Sequence, residues 1–192
     1  MIYKNIIFDF DGTLLDTSLL ENYFHLLRGH DRYSKEHQLA KKEFLTHIKE
    51  CRIYDGLKQV FDYIKSKDIV AYILTAGSKD RVNQFIRDFD LKGIFSTSRV
   101  IGRYELGINK PTSKKYGNPA LFNKLLEKHN LNPDECVAFG NEIWDKFAAN
   151  EANIASYNCL WGANSIHKFV MKQLSPDCSI EKPIDIIPIL SA

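Results

Sequence analysis

No C-x-x-C pair occurs in this chain, and its four cysteines, Cys51, Cys136, Cys159 and Cys178, stand far apart. That spacing offers neither a disulfide framework nor a zinc site, and it fits reduced thiols in a cytosol. A block rich in Lys and Arg is missing too, as is any repeated pattern of aromatic and basic residues. With a formal charge of only +2, nucleic acid is not an expected partner. No apolar run approaches membrane-spanning length, and the N-terminus enters a strand pattern without the basic start and apolar run of a signal peptide. No membrane association is expected, and the expected location is cytoplasmic. Internal repeats and low-complexity tracts are also absent. What is present is an ordinary globular composition, 192 residues with 44% hydrophobic and 26% charged. That length suffices for one well-buried core with a small insertion, but hardly for two full domains.

The chain alternates between two periodicities. Residues 2–10, IYKNIIFDF, form an apolar, β-branched run, and residues 17–28 and 34–52 carry helical spacing in a charged background. From Asp55, expected as an N-cap, an amphipathic helix leads into the continuous apolar strand IVAYILT. Ser78 is expected to cap the next helix, and a weaker strand follows at TSRVIG. After a loop dense in Gly, Pro and Asn, helix ALFNKLLEKHN pairs with strand ECVAFG, and EIWDKFAANEA pairs with IASYNCLW. A helix near 163–174 and the segment IDIIPIL close the chain. Apolar strands alternating with amphipathic helices predict an α/β fold, a three-layer, Rossmann-like parallel sheet covered on both faces.

Residues 17–53 do not fit the alternation and are expected to form a small helical insert, with 1–16 and 54–192 as the core domain. The insert holds four of the six histidines, and seven Lys/Arg against five Asp/Glu. Its histidine spacings do not place two on one helical turn as i, i+4 ligands. The cations Arg28, Arg32, Lys35, Lys41, Lys42 and Arg52 form either a solvated face or a lid selecting an anionic substrate.

Ligands of open α/β sheets bind beyond the carboxyl ends of the strands. There the sequence places Asp9 and Asp11, then Thr75, then Asn141, Glu142 and Asp145, with Lys110 in the intervening loop. In an extended chain Asp9 and Asp11, at i and i+2, point the same way. Two such charges require either a retained proton or a cation between them. Asp-Gly flanked by hydrophobic residues is also a hairpin signal, but the following TLLDTSLLENYFHLL is helical in pattern rather than a returning strand.

FDFDGTLLDT resembles the first signature, D-x-D-G-T, of the haloacid dehalogenase superfamily, whose members are mostly magnesium-dependent phosphatases. YILTAGS is similar to the second motif, NKP to the third and VAFGNEIWD to the fourth, in the family's order. YDGLKQVFDYIK and SYNCLWG resemble the phosphoglycolate phosphatase-like branch, which carries a helical cap where residues 17–53 lie. The resemblance implies Asp9 as the nucleophile that takes a phosphoryl group and Asp11 as general acid and base. Thr75, Lys110 and the amides of Gly12 and Ala76 would bind phosphate. Mg²⁺ would be held by Asp9, the Asp11 carbonyl and the fourth motif. The expected substrate is a small phosphorylated metabolite.

That fourth motif departs from the family's G-D-x-x-x-D, because Asn141 stands where an aspartate is expected. An amide oxygen coordinates without supplying charge, so Glu142 would supply it instead, while Asp145 keeps the second acidic position. Two other outcomes stay open from the residues, a phosphotransferase or mutase of the same fold and a catalytically impaired phosphate-ligand-binding protein.

Overall fold

A computed structural model describes residues 3–29, 31, 33–102, 105 and 119–191, apart from the side chains of His25 and Arg28. The first strand, β1 (Asn5–Phe8), lies at the centre of a six-stranded parallel sheet. It pairs on one side with β4 (Val70–Thr75) and on the other with β6 (Cys136–Gly140). Beyond β4 lies β5 (Phe95–Gly102), and beyond β6 come β7 (Ala155–Cys159) and β8 (Ser179–Ile180), giving the order β5-β4-β1-β6-β7-β8. This is the expected parallel, doubly covered α/β sheet.

Alternation along the strands feeds two cores. Ile6 and Phe8 of β1, Ala71 and Ile73 of β4, and Val137 and Phe139 of β6 point to one face. They pack there with α3 (Leu57–Ser66), α4 (Lys79–Asp88) and α8 (Ile186–Ser191). Ile7, Tyr72, Leu74 and Ala138 point to the other face, against α5 (Ala120–His129) and α6 (Ile143–Glu151). Phe8 binds the first core together, with ring centres 5.9 Å from Phe139 and 6.1 Å from Phe95. Such residues are buried on both faces because helices cover both, which is why the strands read as unbroken apolar runs.

The insert contains α1 (Glu21–Gly29) and α2 (Lys35–His47). It joins the core through a two-stranded antiparallel ribbon absent from the sequence reading, β2 (Leu15–Asp16) against β3 (Arg52–Ile53). Two residues per strand are too few to show a periodicity. The helix expected over 34–52 therefore stops at His47 and passes through a 3-10 turn, Ile48–Glu50, into β3. Arg52 Nη1 donates to the carbonyls of Lys49, Glu50 and Cys51 at 3.0–3.2 Å, so this cation closes the turn.

Other local expectations divide. Ser78 caps α4 as expected, its hydroxyl accepting the Arg81 amide at 3.4 Å, and Ser34, for which no cap was expected, caps α2 by accepting the His37 amide at 3.1 Å. Asp55 does not cap α3. That role falls to Gly56 at φ +93°, a conformation that favours glycine. The final IDIIPIL is a 3-10 turn running into α8, and the short β8 precedes it after α7 (Ser165–Leu174). Among the described residues no helix is long and apolar enough to cross a membrane.

Candidate active site

The carboxyl ends of β4, β1 and β6 are adjacent because these strands are hydrogen-bonded neighbours. β1 ends at Phe8, two residues earlier than the apolar pattern predicts, and the Asp9 amide donates to the Phe139 carbonyl at 2.9 Å. The chain then bends at Phe10, and Gly12 turns it at φ +77°. The two aspartates have different neighbours. Asp9 lines a small cleft with Gly140 and Asp145. The Asp11 carboxylate instead ion-pairs through Oδ2 with Arg81 Nη2.

Asp145 is only 8% exposed. Its Oδ2 accepts the Glu142 amide at 3.0 Å, holding the carboxylate at the N-terminus of α6, where the helix dipole favours negative charge. Gly140 permits this arrangement, since a Cβ at that position would occupy the space of the Asp145 carboxyl. Burial pushes the Cys159 thiol well above its ordinary pKa, and the charges of Asp145 and Asp9 push it in the same direction. Both acids therefore act on one buried locus.

Thr75, at 1% exposure, ends β4. Its Oγ1 accepts the Gly77 amide at 2.9 Å, so this bond does not use the hydroxyl proton. Ala76 follows directly in the turn that precedes α4. The Gly12 amide, expected to face a phosphate, donates to the Leu15 carbonyl at 2.9 Å and closes the turn instead. Lys110 lies outside the described residues, as do Arg32 and the side chain of Arg28. Lys35, Lys41 and Lys42 are exposed on α2.

Asn141 has a structural duty that its sequence position did not reveal. Its Nδ2 donates to the Gly162 carbonyl at 2.9 Å, and its Oδ1 accepts from the Thr13 hydroxyl at 3.3 Å. The amide thus ties the turn after Asp11 to the segment after β7. Trp161 adds a second tie, Nε1 donating to the Thr13 carbonyl at 3.1 Å. The Tyr54 hydroxyl lies 3.4 Å from Asp16 in the ribbon. An aspartate at 141 would turn the donor facing Gly162 into an acceptor facing an acceptor.

Among the described residues no group of three His, Cys, Asp or Glu side chains is arranged to hold a metal. The donors present at the strand ends are carboxylates, an amide oxygen and main-chain carbonyls. These are the hard oxygen donors that suit Mg²⁺, which commonly takes one or two carboxylates and keeps water in its remaining positions. The chemistry of the donor set therefore fits this ion.

Arg81 is the residue that sequence reasoning missed. It stands in the first turn of α4, three residues after the Ser78 cap, and no motif carries it. The detectable signal was a cation one helical turn beyond the strand that ends in Thr75, where it answers the charge of Asp11.

Comparison with known proteins places the chain in a family. The family model described as haloacid dehalogenase-like hydrolase matches residues 24–153, about two-thirds of the chain. The match takes in Thr75, Asn141, Glu142 and Asp145, while Asp9 and Asp11 precede it. This chain belongs to that family of hydrolases. A protein named as a candidate pyrophosphatase, PpaX, from Clostridium perfringens is 22% identical over 217 residues, covering 97% of each chain. A predicted phosphoglycolate phosphatase from Haemophilus somnus 129pt superposes with a TM-score of 0.74 at 22% identity, covering 97% of each chain. A candidate β-phosphoglucomutase from Thermotoga maritima superposes with a TM-score of 0.70 at 19% identity, covering 98% of each chain. These two structures share the fold.

Proposed function

We propose that this hydrolase is a magnesium-dependent phosphatase that cleaves small phosphomonoesters through a phospho-aspartate on Asp9. The observation that supports the reading is that Asp9 and Asp145 line one small cleft, while Thr75 ends β4, the strand hydrogen-bonded to β1. The names of the pyrophosphatase and phosphoglycolate phosphatase relatives support phosphate chemistry over carbon–halogen cleavage, and so does Asp11, two residues beyond the nucleophile.

In this mechanism an Asp9 carboxylate oxygen attacks phosphorus, and the bond to the leaving-group oxygen breaks. Asp11 delivers a proton to that oxygen and later takes one from the water that hydrolyses the aspartyl phosphate. The Thr75 hydroxyl donates to a phosphoryl oxygen with the Ala76 amide beside it, and Lys110 contributes its charge from the third motif. Magnesium would be held by the Asp9 carboxylate, the Asp11 main-chain carbonyl and Asp145, with Asn141 Oδ1 or Glu142 completing the donor set. When bound it neutralises charge on the phosphoryl oxygens. Residues 17–53 serve as a small cap over the crevice, with residues 1–16 and 54–192 as the core.

Phosphate release from p-nitrophenyl phosphate and from a panel of phosphorylated metabolites, with and without magnesium, tests this reading. Asp9→Asn is expected to lower kcat by about four orders of magnitude or more, as loss of a covalent nucleophile does elsewhere. Full activity in that variant, or turnover indifferent to chelation, would overturn the proposal.

A further inference from the structure

Arg81 makes two kinds of contact at once. The edge of its guanidinium pairs with Asp11 Oδ2. Its Cζ lies 5.1 Å from the ring centre of Phe10, between the two aspartates, and 5.7 Å from the ring centres of both Phe24 and Phe44. Phe24 belongs to α1 and Phe44 to α2, and their rings meet edge to face at 5.4 Å. A core side chain is therefore clasped by both insert helices while it holds an acid of the proposed site. The side chain is 14% exposed, so neither contact is a loose surface encounter. Gly77 makes room for it, because a Cβ there would stand 2.8 Å from Arg81 Nη2.

Only a planar, permanently charged group can offer its edge to a carboxylate and its faces to aromatic rings. Lysine, a point charge on a flexible stem, satisfies one contact at the expense of the other. The pair also makes the two oxygens of Asp11 unequal. Oδ2 is taken by Arg81, whereas Oδ1 is buried and has no hydrogen-bond partner. Oδ1 is thus the oxygen that Arg81 leaves unpaired.

We propose that Arg81 is a positioning residue that latches the insert to the core and, through the same guanidinium, fixes the Asp11 carboxyl so that Oδ1 faces the leaving group. The inference rests on the phosphatase reading for the role of Asp11. In the step concerned the Oδ1–H bond breaks and its proton passes to the leaving-group oxygen. At the same time that oxygen's bond to phosphorus breaks and the bond from Asp9 to phosphorus forms. Phe24 and Phe44 are seated on the guanidinium that pairs with Asp11, so the insert and the acid share one side chain.

Two measurements on the full chain decide it. Hydrogen exchange over residues 21–29 and 35–47 is compared in wild type, Arg81→Lys, Arg81→Met, Phe24→Leu and Phe44→Leu. Turnover is measured with p-nitrophenyl phosphate, whose leaving group needs little protonation, and with an alkyl phosphate such as glycerol phosphate, whose leaving group needs it. Faster exchange across both helices is expected in all four variants. In Arg81→Lys the loss of kcat should be about tenfold or more greater for the alkyl ester, within the range that general acid catalysis contributes. The two phenylalanine variants leave Arg81 and Asp11 in place, and a smaller loss with the same bias is expected of them. Unchanged exchange in every variant would overturn the latch. An equal loss for both esters, or a loss confined to KM, would overturn the link to Asp11 and make Arg81 a direct phosphate ligand. A wild type inactive toward every ester would defeat the phosphatase reading, while the exchange data would still judge the latch.

Discussion

The central sheet and the helical insert are built to different standards of burial. Ile6, Phe8, Val137 and Phe139 are 0–1% exposed and are locked between two helical layers. The insert buries Phe44 and Ala40, yet leaves Leu26, Leu39 and Leu45 at 42%, 62% and 55% exposure. One region is a packed interior in which each strand end is positioned by its neighbours. The other is a pair of helices held by a two-residue ribbon, its own small contact surface and the rings around Arg81. Rigid groups for chemistry come from the first region, and the part able to move relative to them comes from the second. Regions with few buried contacts open at lower free energy than the global unfolding.

Substitutions at the two ends of that contrast should behave very differently. Phe139→Ala removes a ring from the fully buried core and is expected to destabilise the protein by about 3–5 kcal/mol in chemical denaturation. A loss below 1 kcal/mol would mean the core is far less tightly packed than its burial implies. Thr75→Val keeps the shape of a 1% exposed side chain while removing its hydroxyl. Its kcat/KM should fall by about 100-fold, the usual cost of losing one preorganised donor, with little change in stability. Asn141→Asp replaces the donor to Gly162 with an acceptor and is expected to lower stability by about 1 kcal/mol, measured by thermal or urea unfolding. Equal or greater stability would show that the amide is not a tie. Leu39→Ala on the exposed face of α2 should stay within about 0.5 kcal/mol of wild type, and a larger loss would mean this face is covered.

Much of the core was legible because its signals are local. Runs such as VAYILT and CVAFG announce strands buried on both faces, and Ser78 announces a helix start by chemistry confined to three residues. The ribbon β2–β3 was not legible, since its two halves are 36 residues apart and each is too short for a period. Gly56 displaced Asp55 as the start of α3 because the chain enters that helix at positive φ, a choice made by the path of the backbone. At the site, the residue types and their order were readable, but their partners were not. Asp9 and Asp11 look like a matched pair in sequence, but Asp9 lines a cleft with Asp145 while Asp11 pairs with Arg81. Asn141 reads as a weakened acid and turns out to hold two loops together.

The sequence by itself determined which residues are apolar, that Ser78 starts a helix and which oxygen-bearing side chains fall at strand ends, because these follow from periodicity and local hydrogen bonding. Only the tertiary structure decided that an arginine from the first turn of α4 would answer the charge of Asp11. It also decided that rings from two insert helices would close on that arginine. Such contacts join segments dozens of residues apart, and their energy depends on distances that no single stretch of chain contains.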